Sequence, residues 1–176
     1  MCIAKLFKIN PWQVILMLYI ICGLPGTGKT TVARELVRMT GGVLLRTDDI
    51  RKKMFPSPSY TPEEKQKVYE TFLNEAESMI SSGRDVILDA TFSRKSQRDK
   101  ALEIAKKAGK KSIVIEVVCD ESIVAERLRR RKRDISDADY EVYRKIKQEW
   151  EPVEGKHVVI DSGKSGWKGR LKEIAR

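Results

Sequence analysis

The sequence predicts a three-layer α/β sandwich in which helices cover both faces of a five-stranded parallel sheet. Five short apolar runs alternate with longer helical patterns, and none of the runs alternates cleanly between polar and apolar residues. Continuous apolar runs of this kind are typical of strands that are buried on both faces. The predicted strands cover residues 18–22, 43–46, 86–89, 112–118 and 157–160.

Residues that favour helix starts and stops delimit the segments between these strands. The first helix follows residue 30 and ends at Gly41, because glycine accepts the left-handed conformation at a helix end. The second begins after the capping residue Thr61, with Pro62 at its first position. Its predicted apolar stripe is Val68, Phe72, Ala76 and Met79. Later helices are predicted to start at Ser93, at Asp120, at Ser136 or Asp137, and near residue 165.

Length and composition indicate one basic domain. The chain has 176 residues and a formal net charge of +10, which favours phosphorylated or polyanionic partners. Three widely spaced cysteines form no disulfide or metal pattern, which predicts a reducing, cytoplasmic compartment. The apolar run before residue 22 is too short to cross a membrane. Met17 could serve as an alternative start, so we expect residues 1–16 to be an extension of a single domain spanning 17–176.

The stretch 23–30 matches the phosphate-binding pattern G-x-x-x-x-G-K-[ST] in full. An apolar strand precedes it and an amphipathic helix follows it, so backbone N–H groups and the helix N-terminus can cradle phosphates. Lys29 is expected to reach the β- and γ-phosphates, and Thr30 to offer a hydroxyl to Mg²⁺. The chain is therefore predicted to bind a nucleoside triphosphate. The predicted nucleotide-binding residues are Gly23, Pro25, Gly26, Thr27, Gly28, Lys29, Thr30 and Thr31.

Acidic residues end two of the predicted strands. Asp89 closes the third strand, as in a Walker B element, and would hold Mg²⁺ or its water opposite Thr30. Asp48 and Asp49 follow the second strand, at the sheet edge where ligands of open α/β folds gather. A carboxylate there can accept a proton from an attacking hydroxyl. Both acids also suit a helix N-terminus, and propensity alone does not rank them.

A dense cationic run follows the fourth strand. Arg127, Arg130 and Arg131 recur at helical spacing and fall on one helix face. A mobile arginine that closes over a transferred phosphoryl group stabilises its negative charge, which predicts a lid over about residues 127–137. A solvated helix end is the alternative interpretation.

These motifs together resemble the predicted ATP-dependent P-loop kinases. The shared stretches are 23–30, Thr-Asp-Asp-Ile-Arg at 47–51, Leu-Asp-Ala-Thr-Phe at 88–92, the arginine run and Trp-Glu-Pro at 150–152. That group is similar to the 5′-kinase domain of phage polynucleotide kinase and, more loosely, to gluconate and adenylylsulfate kinases. The resemblance covers residues 17–161.

The resemblance implies an adenylate-kinase-like sheet and assigns roles around it. It makes Asp48 the base, lets Arg51 steer the acceptor, and places Asp89 and Thr91 near the metal and the acceptor. It puts Arg127 and Arg131 in the lid, and the acceptor-binding region at about 47–82.

We therefore expect an ATP- and Mg²⁺-dependent kinase that phosphorylates a hydroxyl. The first choice of acceptor is a polynucleotide 5′-hydroxyl, because a basic tract that starts at Arg94 exceeds what ATP alone needs. That tract comprises Arg94, Lys95, Arg98, Lys100, Lys106, Lys107, Lys110 and Lys111. A small metabolite such as a sugar acid or nucleoside is the alternative, and a non-kinase nucleotide- or nucleic-acid-binding protein a distant one. The chain is too short for an AAA+ module with its helical lid domain.

Overall fold

A computed structural model describes residues 17–130 and 138–175 of the chain. Five parallel strands form one sheet in the order β2-β3-β1-β4-β5. The strands are β1 (Met17–Cys22), β2 (Val43–Arg46), β3 (Val86–Asp89), β4 (Lys111–Val118) and β5 (Val158–Asp161). The prediction of a five-stranded parallel sheet is confirmed, and each strand lies within one residue of its predicted bounds.

Helices alternate with the strands along the described chain. They are α1 (Lys29–Thr40), α2 (Thr47–Met54), α3 (Pro62–Ser81), α4 (Lys95–Lys107), α5 (Glu121–Arg130), α6 (Tyr140–Gln148) and α7 (Trp167–Ile174). None of the helices in the described ranges is long and apolar enough to cross a membrane. Residues 1–16 of the expected extension lie outside the described ranges, as do residues 131–137 of the expected lid.

The sheet separates two hydrophobic layers because successive strand residues point to opposite faces. On one face Leu18 and Ile20 of β1 pack with buried residues of α3 and α4, among them Phe72 and Ala101. On the other face Tyr19 and Ile21 pack with buried residues of α1 and α7. Strands enclosed on both sides need apolar residues at every position, which explains the unbroken apolar runs in the sequence.

The structure corrects several helix boundaries. Ile80 completes the fully buried face of α3, whereas Met79 is only partly buried beside it. Arg94, not Ser93, is the N-cap residue of α4. Asp139 caps α6, with its carboxylate accepting the Val142 N–H at 2.9 Å. The predicted starts of that helix, Ser136 and Asp137, lie outside the described residues.

One helix was not predicted at all. The eight residues of α2 follow β2 directly, although three of them are charged lysines or arginines and two are aspartates. Only Ile50 provides a buried apolar anchor, so the segment lacks the repeating apolar stripe by which amphipathic helices are recognised. Because α2 follows β2 directly, Asp48 and Asp49 lie on the first turn of a helix at the carboxyl edge of the sheet.

Candidate active site

The loop between β1 and α1 has the backbone of a phosphate cradle. Gly23 has φ +145°, and a Cβ added there would lie 2.3 Å from the carbonyl oxygen of Val117. Gly28 has φ +89° and is the N-cap residue of α1. Side chains disfavour both conformations, so these two glycines are required for the loop to turn tightly and present its N–H groups. The prediction of a strand, a glycine loop and a helix start is confirmed.

Two side chains of the loop lie at its mouth. The Lys29 ammonium donates a hydrogen bond to the Leu24 carbonyl at 3.0 Å, which holds it along the rim of the cradle. The Thr30 hydroxyl donates to Oδ2 of Asp89 at 2.7 Å. The expected meeting of Thr30 with the acid that ends β3 therefore occurs.

The Thr30–Asp89 pair suits Mg²⁺ chemically. Both groups offer hard oxygen ligands, and Mg²⁺ is usually bound by one or two such protein groups with phosphate oxygens and waters. The described residues contain no group of three or more histidine, cysteine, aspartate or glutamate side chains arranged around a metal position. A metal at Thr30 and Asp89 would thus take its other ligands from the nucleotide and from water.

Arg46 is a site residue that the sequence analysis missed. It ends β2, its side chain is only 6% exposed, and its guanidinium lies between both acids of α2 and the Thr30–Asp89 pair. Nε donates to Oδ2 of Asp89 at 3.2 Å, and Nη1 donates to Oδ1 of Asp49 at 3.2 Å. A cation at the end of an otherwise apolar strand, next to two acids, was the available sequence signal.

Asp48 faces the centre of the site. Burial raises the pKa of its carboxyl above the ordinary 3.8, the Lys29 charge opposes that rise, and the Asp89 charge adds to it. A raised pKa makes a carboxylate a better proton acceptor than a fully solvated aspartate. This environment fits the base role that the resemblance implies.

The expectation for Asp49 is a helix cap or a surface acid, and the structure does not make it a cap. The N-cap residue of α2 is Arg46, with no side-chain capping bond, and Asp49 instead pairs with the Arg46 guanidinium. Its side chain is 39% exposed. The Asp48 side chain is exposed to the same degree, at 38%, so the two acids differ in their partners: Asp49 is hydrogen-bonded to Arg46, whereas Asp48 stands 3.9 Å from that guanidinium.

Arg51 lies in a buried cluster between α2 and α3. Its Nη1 is ion-paired with Glu64, and its guanidinium carbon stands 4.8 Å from the centre of the Tyr60 ring. Burial raises the pKa of Glu64, but hydrogen bonds from the Ser59 N–H and Arg51 outweigh burial and bring the pKa to about 2. Nε of Arg51 is buried without a hydrogen-bond partner among the described residues. One donor of this expected acceptor-steering residue is thus unpaired, within a cluster that Glu64 and Tyr60 hold in place.

The loop after β3 joins the phosphate cradle to α4. The Thr91 carbonyl accepts a hydrogen bond from the Gly23 N–H at 3.2 Å, which places this expected acceptor residue beside the glycine loop. Arg94 is exposed at the start of α4, and its N–H donates to the Gln97 side chain. Both residues lie at the same edge of the sheet as the cradle.

Arg98 corrects the expectation of a continuous basic surface on α4. It is 3% exposed and donates to the carbonyls of Phe92, Glu151 and Pro152 at 2.8, 3.0 and 2.8 Å. Its guanidinium also lies 5.8 Å from the Trp150 ring centre. The Trp-Glu-Pro stretch is therefore held against the loop after β3 by a structural arginine.

Arg127 is docked against the outer side of the phosphate cradle. Its Nη1 donates to the Ser162 hydroxyl at 3.0 Å and lies 3.5 Å from the Gly26 carbonyl, and its Nη2 donates to the Ser162 carbonyl at 3.2 Å. The Ser162 hydroxyl in turn donates to the Thr27 carbonyl at 2.5 Å. Ser162 was missed because a lone serine after a strand carries no motif. Arg131, the second expected lid arginine, lies outside the described residues.

Comparison with known proteins identifies the family. Residues 18–153 match the family AAA_33, described as an AAA domain, so the chain belongs to that family. The matched region contains the whole sheet except β5, together with the glycine loop and the acids at the strand ends. The match covers the nucleotide-binding region itself, and the expectation that the chain is too short for an AAA+ module concerns one with an additional helical domain.

Sequence relatives extend well beyond this chain. The uncharacterized protein Rv2004c of Mycobacterium tuberculosis is 30% identical over 139 residues, which is 71% of this chain and 28% of that protein. The uncharacterized protein Mb2027c of Mycobacterium bovis matches with the same values. The chain thus spans little more than a quarter of the length of these curated relatives.

Solved structures with the same fold are P-loop kinases and related proteins. The APS kinase CysC of Mycobacterium tuberculosis, in complex with AMPPNP and APS, superposes with a TM-score of 0.69 at 14% identity over 90% of this chain and 95% of that chain. A gluconokinase of Sinorhizobium meliloti 1021 gives 0.64 at 20% identity over 92% and 90%. Kti12 of Chaetomium thermophilum, in complex with ADP-AlF3, gives 0.69 at 17% identity over 89% and 96%. At these identities the likeness establishes a kinase-like P-loop fold.

Proposed function

We propose that this protein is an ATP-dependent kinase that transfers the γ-phosphoryl group of ATP to a hydroxyl of its acceptor. The observation that carries the proposal is the convergence at one sheet edge of the Lys29 cradle, the Thr30–Asp89 pair and the Asp48 carboxylate. Phosphoryl transfer needs a phosphate cradle, a metal position and a group that takes the acceptor proton. A protein that only binds nucleotide has no need of the third.

Each residue has a specific task in this scheme. Lys29 and the N–H groups of the glycine loop hold the β- and γ-phosphates, because their positive charge faces oxygens that gain negative charge during transfer. Thr30 and Asp89 would hold Mg²⁺, which would supply neutralisation of the phosphate charge. Asp48 accepts the proton of the acceptor hydroxyl as that oxygen attacks phosphorus. Arg127 and Arg131 are the lid residues that would stabilise the charge of the transferred group, and Arg127 would have to leave its Ser162 and Gly26 partners to do so.

The acceptor approaches between α2, α3 and the loop after β3, which corresponds to the region 47–82 with Thr91 and Arg94 beside it. Arg51 is buried and ion-paired with Glu64, and its unpartnered Nε is the donor that a carboxylate or phosphate of the acceptor would take on reaching this cluster. A small anionic alcohol is therefore the acceptor we favour. The structural relatives include an APS kinase and a gluconokinase, which is in line with a small acceptor.

A polynucleotide 5′-hydroxyl is the second candidate, supported by the +10 net charge and the exposed Arg94 at the acceptor side. The basic tract on α4 supports it less than the sequence suggested. Arg98 is buried, and Lys95 and Lys107 form ion pairs with Asp99 and Glu103. Lys107 also ends a 13-residue helix, about 20 Å from the residues that start it. The resemblance to the 5′-kinase domain of phage polynucleotide kinase remains a proposal that belongs with this second acceptor.

A panel of acceptors tests the proposal and separates the two candidates. ATP consumption is measured alone, with sugar acids and nucleosides, and with 5′-hydroxyl oligonucleotides at low and high salt. The proposal predicts that one class stimulates consumption and that Lys29→Ala removes the stimulation. Stimulation by oligonucleotides that falls steeply with salt would favour the nucleic-acid acceptor, since each phosphate contact releases counterions. ATP consumption that no acceptor stimulates, or the absence of any ATP consumption, would contradict the kinase assignment.

A further inference from the structure

The guanidinium of Arg46 donates hydrogen bonds to the two oxygens, on Thr30 and Asp89, that would bind a metal ion. Nε donates to Oδ2 of Asp89 at 3.2 Å, the same oxygen that accepts the Thr30 hydroxyl. Nη2 donates to Oγ1 of Thr30 at 3.3 Å. The arginine is buried, so these contacts are made away from bulk water. One cationic side chain therefore already bridges the Thr30–Asp89 pair.

Arg46 and Mg²⁺ would both lie against the hydroxyl oxygen of Thr30. Its hydroxyl hydrogen points to Asp89, and an oxygen lone pair accepts Nη2 of Arg46. The hydroxyl oxygen keeps a second lone pair, but Mg²⁺ binds oxygen ligands at about 2.0–2.1 Å in near-ideal octahedral geometry, so a metal on Thr30 would lie close against the guanidinium. The two cations also repel one another at this distance. Binding of the metal at Thr30 thus requires Nη2 to move.

Asp49 is a hydrogen-bond partner of the Arg46 guanidinium outside the Thr30–Asp89 pair. It accepts Nη1 of Arg46 at 3.2 Å and is more than one third exposed, so it lies toward the solvent side of the arginine. Nη2 also stands 3.9 Å from the Asp48 carboxylate. A guanidinium that releases Thr30 keeps these two carboxylates as partners, and its charge stays inside the site.

We propose that Arg46 competes with Mg²⁺ for the Thr30–Asp89 pair, and that Asp49 retains the guanidinium when the metal takes that pair. The inference rests on the proposed nucleotide site, because Mg²⁺ enters as the partner of bound nucleotide. It gives Asp49 a positioning role that is distinct from the base role of its neighbour. It also sets the Mg²⁺ concentration at which the site becomes competent, through a residue that touches no acceptor.

Calorimetric titration with ADP at a series of Mg²⁺ concentrations tests the proposal without requiring phosphoryl transfer. The measured quantity is the Mg²⁺ concentration that gives half of the metal-dependent gain in ADP affinity. Arg46→Gln is expected to lower this concentration about tenfold, the change expected from removing one charged hydrogen bond that competes with the metal. Asp49→Asn is expected to raise it, because the guanidinium then stays on Thr30 and Asp89.

Lys53→Gln is the matched control, since it removes one exposed positive charge from the same helix. A general charge effect would appear in Lys53→Gln and would fade at high salt, whereas a contact at a buried site persists. An unchanged or raised Mg²⁺ requirement in Arg46→Gln would overturn the proposal, and so would an equal shift in Lys53→Gln. If Arg46→Gln fails to fold, the test rests on Asp49→Asn. A Mg²⁺ requirement that rises in this variant and stays raised at high salt supports the competition. An unchanged Mg²⁺ requirement refutes it. Failure of the unaltered protein to bind ADP would instead refute the nucleotide site itself.

Discussion

Replacement of Asp48 by Asn is the most informative single change, because Asp49 supplies a matched control one residue away. Asn keeps the size of the side chain and removes its ability to accept a proton. General-base catalysis contributes about 10²- to 10⁴-fold, which corresponds to about 3–5 kcal/mol of transition-state free energy. We expect Asp48→Asn to lower kcat by at least about 10²-fold while ATP affinity is retained.

The expected effect of Asp49→Asn follows from its surroundings. Its one ion pair, with Arg46 at 3.2 Å, involves a carboxylate that is 39% exposed, and partly exposed pairs contribute about 1 kcal/mol or less. That free energy corresponds to about a fivefold change, so the two variants should differ by at least about 20-fold in kcat. The assay is acceptor-dependent ADP release at saturating Mg²⁺, which removes any difference in metal affinity.

The pH dependence provides a second readout of the same residue. Since burial raises the pKa of Asp48, the acidic limb of kcat/KM should fall at a pH above 3.8, as Asp48 becomes protonated. Asp48→Asn should lose this limb, and Asp49→Asn should keep it. A larger kcat loss in Asp49→Asn than in Asp48→Asn would refute the assignment of the base.

The remaining predictions concern the cradle, the acceptor cluster and the loop after β3. Lys29→Ala should abolish transfer in the ADP-release assay, because one lost charged contact to the transferring group costs several kcal/mol in a dry site; near-normal turnover would contradict the cradle assignment. Glu64 has a pKa of about 2 in the folded chain, against an ordinary 4.5, so it stabilises the fold fully above pH 4.5 and the stabilisation is lost as the pH falls toward 2. Glu64→Gln should therefore flatten the acid limb of stability measured by urea unfolding, and an unaltered acid limb would disprove this. Arg98→Gln should lower the free energy of unfolding by about 3 kcal/mol or more, because it loses charged hydrogen bonds to three carbonyls. The exposed Lys100→Gln on the same helix should change it by less than about 0.5 kcal/mol, and equal effects of the two variants would contradict the structural role of Arg98.

The sheet and the contact between Thr30 and Asp89 could be predicted because local sequence encodes them directly. A buried parallel strand requires an unbroken apolar run, and the glycine loop requires residues that tolerate positive φ, as at Gly28. Asp89 could be paired with Thr30 because parallel strands bring their carboxyl ends to one edge. These relations hold whatever the rest of the chain does.

The parts that sequence could not predict depend on tertiary partners. Arg98 has the pattern of a surface cation, and its burial depends on carbonyls more than 50 positions away, at residues 151 and 152. Arg46 has the pattern of a strand-ending cation, and its role emerges only when β2 lies beside β3. The helix α2 lacks an apolar stripe because its stability comes from its contacts with α3, including the Arg51–Glu64 pair.

Following the γ-phosphoryl group itself is the most direct test of the kinase assignment. ATP labelled at the γ-phosphate is incubated with the protein, Mg²⁺ and the acceptor panel, and the label is separated into acceptor and inorganic phosphate. We expect the label to be transferred to a hydroxyl oxygen of an acceptor, and Lys29→Ala and Asp48→Asn both to prevent the transfer. Label found only in inorganic phosphate, at a rate that no acceptor changes, would contradict it.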